Sequence, residues 1–199
     1  MDAKQIGLKA ISMADKVYEI LNLIEEGFMK NKMDFLTAAM QEEDEINRME
    51  RLLTDDIMGL ARKATAQNRK KLSVMAQMVE MLERMGDEAA GLVERIEVKV
   101  HEKLLFDEEA VTQFNETYGS MKASVEMMRD FLRTQSPVVK KKVIDNGLHV
   151  KELVERYRVR HADRLVRGAC TPMGANMYFD MLDFTGNLAR HSSNIVKLG

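Results

Sequence analysis

Two prolines, one cysteine, no tryptophan and 6% aromatic residues are all that the 199-residue chain carries of these types. Each scarcity excludes something. A lone cysteine, Cys170, leaves no intrachain disulfide and suits a reducing compartment. Few aromatics and no alternating apolar–polar runs argue against strands, which favour aromatic and β-branched residues. No apolar run approaches the ~18 residues of a membrane span. The opening MDAKQIGLKAIS lacks the apolar core of a signal peptide. The expectation is a soluble, cytoplasmic chain. Net charge is −2, so bulk electrostatics point to no nucleic-acid partner. The halves differ: residues 1–100 hold 15 basic and 19 acidic groups, and residues 101–199 hold 15 and 13.

What the chain has in abundance is helical periodicity. Leu72, Met75, Val79, Leu82, Gly86, Ala89, Val93, Ile96 and Val100 form one stripe at steps of three and four. The spacing predicts helices over 4–30, 32–64, 68–103, 107–134, 137–167 and 172–197. Ser136-Pro137 and Thr171-Pro172 each read as a hydroxyl cap before a proline at the first helical position. Asn31 and Asn68 are the expected caps at the matching places in the first half. Asp107 opens the fourth helix with negative charge. Two stretches one hundred residues apart read alike: Glu80-Met81-Leu82-Glu83 with Gly86, and Asp180-Met181-Leu182-Asp183 with Gly186. Ser12-Met13 and Val17 also pair with Ser120-Met121 and Val125, and Glu50-Arg51 with Glu155-Arg156, at offsets of 108 and 105. The predicted fold is all-α, two tandem three-helix bundles over 1–104 and 105–199, packed as one rigid unit.

Positions 80, 83 and 87 share one helix face beside the apolar stripe. Stacked carboxylates repel, and solvent, a nearby Arg or Lys, or a cation must offset that. Oxygen-rich sites suit Mg, Mn, Fe or Ca. The preceding helix offers Asp44 and Glu50 to the same face. The repeated motif extends the candidate set to Asp180 and Asp183.

Leu82-Glu83-Arg84-Met85-Gly86-Asp87 resembles the Leu-Glu-Arg-Ile-Gly-Asp string of the PhoU domain family. Asp44, Asn47 and Glu50 fit that family's acidic-x-x-Asn-x-x-Glu pattern. Tyr157, His161, Arg164, Leu165, Gly168 and Cys170 resemble the PhoU-type domain of sodium/phosphate cotransporters, and Asn194-Ile195 after His191 completes the last helix in the same manner. The resemblance implies paired three-helix repeats of PhoU or spectrin type. It implies a regulator of phosphate uptake that contacts a transporter's membrane subunit or cotransporter domain, sometimes with a sensor kinase. A homodimer and a position at the inner face of the membrane follow from it too. It nominates Glu83 and Asp87, with Glu80 beside them, and Asp183 in the second half, as ligands for divalent or iron ions. Asn187 stands where the family has Asp, and Phe184-Thr185 where it has Arg-Ile. His191, one turn on, is a substitute ligand or a plain surface histidine.

Seventeen methionines follow the core stripe and read as gap fillers or as an adaptable partner face. Residues 140–167 hold nine basic and four acidic groups, a solvated face or a surface for anionic lipid or acidic transporter loops. Cys170 reads as a structural thiol. Catalysis is not expected. No histidine follows a glutamate by three residues, as di-iron bundles require. There is no phosphate-binding glycine loop and no nucleophile elbow. The alternative reading is a metal-storing or metal-sensing bundle with no transporter partner.

Overall fold

Capping chemistry marks where the helices begin. Asp2 accepts the backbone N–H of Gln5 at 2.8 Å while the Gln5 side chain accepts that of Asp2, a reciprocal box that opens α1 (Ala3–Lys30). Thr65 caps α3 (Ala66–His101), Asp107 caps α4 (Glu108–Thr134), and Ser136 caps α5 (Pro137–Val166). Thr171 accepts the N–H of Gly174 at 3.1 Å at the start of α6 (Pro172–Leu198). Only α2 (Met33–Ala61) starts without a side-chain cap.

The computed structural model describes residues 2–104 and 106–198, and the six expected helices are present with every end within three residues. Two expected caps are corrected. Asn31 ends α1 rather than starting α2, in the left-handed conformation (φ 51°) that asparagine tolerates, and its side chain accepts from Lys99. Asn68 lies inside α3 and donates its backbone N–H to Thr65, whose hydroxyl stands three residues earlier.

Helices α1, α2 and α3 pack on one another, as do α4, α5 and α6, while α1–α4 and α3–α6 contacts join the two bundles. Helices α2 and α5 each touch only their own bundle. Among the described residues no helix is long and apolar enough to cross a membrane. At the α1–α4 seam, buried Tyr118 donates to the Leu21 carbonyl at 2.7 Å, and Phe28 and Phe114 rings lie 4.8 Å apart. Asp15 accepts from Arg129 at 2.7 Å and Arg133 at 2.5 Å. Burial pushes that carboxyl up, but the two guanidinium hydrogen bonds outweigh it and hold it below its ordinary value.

Helices α3 and α6 run antiparallel along three contacts in strict order. Asn187 donates to Glu88 at 3.1 Å, Phe184 covers Gly91, and Arg95 donates to Asp180 at 2.8 Å. A Cβ at Gly91 would stand 2.5 Å from the Phe184 ring, so the absence of a side chain there sets the approach.

Burial gives the repeat a different register from that of the sequence motifs. All ten buried α1 residues land on buried α4 residues at an offset of 104, from Ile6 on Ala110 to Phe28 on Leu132. Ala39, Ile46, Leu53 and Ile57 of α2 correspond to Val143, Val150, Tyr157 and His161 at the same 104. Eight buried residues of α3, Leu72 to Val93, fall on buried α6 residues at 103, Ala175 to Val196, whereas an offset of 100 places three of them on positions that are not buried. The offsets of 108, 105 and 100 are therefore corrected. The two halves are almost equal in length, and the Glu80–Gly86 and Asp180–Gly186 strings sit one turn out of structural correspondence. The expected limits at residues 1, 105 and 199 fall outside the described residues.

Gly91→Ala should cost about 1–3 kcal/mol, the usual range for overpacking, read as a lower urea midpoint. Adding Phe184→Leu should recover part of that loss. An unchanged midpoint in Gly91→Ala would show that the α3–α6 approach is slack.

Candidate functional site

The core stripe of α2 runs Leu36, Ala39, Ile46, Leu53 and Ile57, all buried. Glu43 belongs to the same stripe and is only 6% exposed, and Glu50, half-buried, occupies its other gap. Opposite them on α3 stand Glu83, half-buried, and Asp87, exposed. A Cβ on Gly86 would lie 3.3 Å from Ile46 and 3.8 Å from Glu43, so glycine brings α3 close to α2 beside the buried carboxylate.

These carboxylates feel one another. Burial raises Glu43 above its ordinary value, with help from Asp87 and Asp44, against the hydrogen bond that Asn47 donates at 2.6 Å. Glu83 is raised by burial, then by Asp87, Glu50 and Glu43, with Arg84 opposing. Asp87 is raised by burial and by Glu88, again against Arg84. Thr54 donates to Glu50 at 2.8 Å. The cleft thus gathers Glu43, Glu50, Glu83 and Asp87, with no lysine or arginine from α2 hydrogen-bonded to any of them. Glu80 stands apart, exposed and paired with Arg84 at 2.7 Å. Asp44 is exposed as well and acts only through the field at Glu43.

Glu43 is the site residue that the motif search missed. It was visible as a carboxylate at core spacing, in the series 36, 39, 43, 46, 50, 53, 57. The donor set suits a hard or borderline cation. As the side chains stand, no three Asp, Glu, His or Cys residues among those described converge closely enough to hold one.

The second repeat is built otherwise. Asp180 pairs with Arg95 and Asp183 with Arg158, so arginine offsets the charge at both candidates. Neither belongs to a group of three or more potential metal ligands among the described residues. In the burial register the counterparts of Glu43, Glu50, Glu83 and Asp87 are Gly147, Val154, Gly186 and Arg190. That set does not fit a metal ion. His191 is buried, its Nε2 3.9 Å from Glu88 on α3.

His161, Arg164 and Cys170 fasten the far end of this bundle. His161 is buried, stacked 4.1 Å from Tyr178, and burial plus the adjacent Arg164 bring it down to about 4, so it is a neutral imidazole at pH 7. Arg164 reaches Asp107 and Glu109 at 3.4 Å each. Cys170 lies 3.8 Å from the His161 ring.

The family model of the PhoU domain matches residues 10–96, which include every member of the acidic cleft. No curated protein matches the chain. The crystal structure of PhoU from Pseudomonas aeruginosa is similar at a TM-score of 0.90 and 15% identity, over 98% of this chain and 93% of that one. The phosphate transport system regulatory protein PhoU from Streptococcus pneumoniae is similar at 0.85 and 11%, over 98% and 91%. A PhoU-like protein from Shewanella oneidensis is similar at 0.59 and 11%, over 97% and 96%. At these identities the likeness establishes the fold.

A carboxyl raised in the folded state binds its proton more tightly there than in the unfolded chain, so its ionisation costs stability as pH rises past the ordinary carboxylate value. Acidification from pH 7.5 to 5 should therefore draw a stabilising contribution from these three carboxyls, opposed by His161, whose depressed value costs stability once the unfolded histidine protonates below its ordinary value of 6.5. Glu43→Gln should raise the Tm at pH 7.5, and its advantage over the unaltered chain should shrink towards pH 5. About 1 kcal/mol corresponds to roughly 2–4 °C at this size. A Tm that falls in Glu43→Gln would contradict the shared field.

Proposed function

On the premise that the chain carries a PhoU domain at residues 10–96, we propose that it regulates phosphate transport by binding a transporter, with no catalytic step of its own. The observation that carries this reading is the conjunction of that domain with a fold alike over nearly the whole length of known PhoU proteins. Regulation by contact needs a surface that engages one state of the partner better than another. The outward face of α5 suits the role. It packs on nothing beyond its own bundle, and exposes Leu148, Val159 and Val166 amid Lys140, Arg156 and Arg160. Acidic cytoplasmic loops of a membrane subunit are its complement.

A divalent or iron cation belongs to this reading at the first cleft only. Glu43, Glu50, Glu83 and Asp87 would hold it through carboxylate oxygens. Bound there, the cation would add to the charge compensation that Arg84 of α3 supplies only in part. Because the four groups come from two helices, occupancy couples the position of the outer helix α2 to that of α3, which carries the inter-bundle seam. The same incompletely offset charge favours the second reading, a metal-storing or metal-sensing bundle without a transporter.

Phosphate uptake in phosphate-replete cells separates the two. Removal of the chain should raise uptake that is normally repressed; unchanged uptake sinks the transporter reading and leaves the metal. Independently, purified protein should carry metal that Glu83→Ala with Asp87→Ala removes from the first repeat. Full metal content in that double variant would disprove the cleft as the site.

A further inference from the structure

The groove between α5 and α6 is the counterpart of the acidic cleft, and it differs from it in two respects. It is hollow, because Val154 and Gly186 stand where the first repeat has Glu50 and Glu83, while Gly147, at the place of Glu43, admits Ser193. Its volume is about 420 Å³. It is also reversed in charge, because Lys151, Arg190 and Lys197 stand where the first repeat has Asn47, Asp87 and Glu94.

The charged lining is Lys151, Arg158, Arg190 and Lys197 against Glu155 and Asp183, a net of +2. Arg158 is taken up by Asp183, and Lys151 stands 3.7 Å from Glu155. That leaves the α6 cations. Arg190 donates only to the neutral Asn187 amide, at 3.2 Å. Lys197, two turns on, has no hydrogen-bond or ion-pair partner among the described residues. Ile144, Leu148 and Val154 give the groove an apolar wall on the α5 side.

We propose that this groove binds a phosphoryl dianion, carried by a small organic molecule that lies on the apolar wall. Charge chooses the class. One phosphoryl group carries about −1.5 to −2 near pH 7 and so balances the net +2, where a single carboxylate does not. The guanidinium of Arg190 presents a planar fork that meets phosphate oxygens two at a time, and Lys197 adds a point charge from two turns further along the same helix. Gly186 leaves the floor open to the ligand, whereas the space beside Gly147 is taken by Ser193. The α5–α6 packing depends on the same economy: a Cβ on Gly147 would collide with Ser193. This site is distinct from the acidic cleft and does not require the transporter reading.

Calorimetric titration of the full chain with AMP, inorganic phosphate and adenosine tests it. AMP should bind, adenosine should bind at least tenfold more weakly, and added salt should weaken AMP. Arg190→Ala, an exposed position, should lose at least tenfold. Gly186→Val fills the floor with an ordinary contact to Val154, 3.4 Å from the new Cβ, and should lose as much without any change in charge. Glu83→Ala, in the other cleft, should bind as the unaltered chain does. AMP tighter than inorganic phosphate supports an organic ester; equal affinity supports free phosphate as the source of the dianion. Absence of AMP and phosphate binding at millimolar concentrations, or affinity untouched by both Arg190→Ala and Gly186→Val, overturns the proposal.

Discussion

The antiparallel contact of α3 with α6 determines what the rest of the molecule can be. Gly91 admits Phe184, and on either side of that approach Arg95 meets Asp180 and Glu88 meets Asn187. The interaction is mixed: a ring packed against bare backbone, flanked by one ion pair and one amide–carboxylate hydrogen bond. It requires that one face of α6 be given over to α3. Asp180, a candidate ligand, and Phe184 and Asn187, which depart from the family string, are all engaged by the neighbouring helix. With these side chains committed to the seam, the second repeat does not reproduce the first repeat's cleft.

Duplicated helical units can diverge in function while their cores stay in register. Ten buried positions of α1, four of α2 and eight of α3 map onto buried positions of α4, α5 and α6 at offsets of 104, 104 and 103, although the residues themselves change freely: Gly27 maps to Phe131, Ala14 to Tyr118 and Ile57 to His161. Burial is set by helix geometry, and a core accepts different side chains if volume is made up elsewhere. At the outer clefts no such constraint holds. Carboxylates fill one, and glycine, lysine and arginine open and recharge the other. Two clefts of opposite charge on one scaffold are the result.

The helices were legible because a 3.6-residue stripe and hydroxyl caps before proline are local features. The repeat register was not, and the errors have a common cause. Offsets of 100 and 108 differ from 103 and 104 by three and four residues, which is about one helical turn, so the apolar stripe tolerates either choice. The offset of 105 for α2 differs by a single residue, which rotates the stripe by about 100°. It rested on Glu50-Arg51 and not on the apolar stripe, and the core would have rejected it. Glu83 and Asp87 were readable from spacing alone. Glu43 was overlooked because a charged residue inside an apolar series reads as an interruption, when burial makes it part of the site.

The seam also bears on how the chain comes to be folded. Leu21, Phe28 and Gly91 of the first repeat are covered by Tyr118, Phe114 and Phe184, all supplied by the second. During synthesis at roughly 5–20 residues per second, the remaining hundred residues take on the order of 5–20 s to follow. For that interval the nascent first bundle presents two apolar strips with nothing to cover them. A neighbouring nascent copy carries the same two strips, so crowding on one messenger favours exchange of halves between chains, and slow, well-separated translation favours the intramolecular seam.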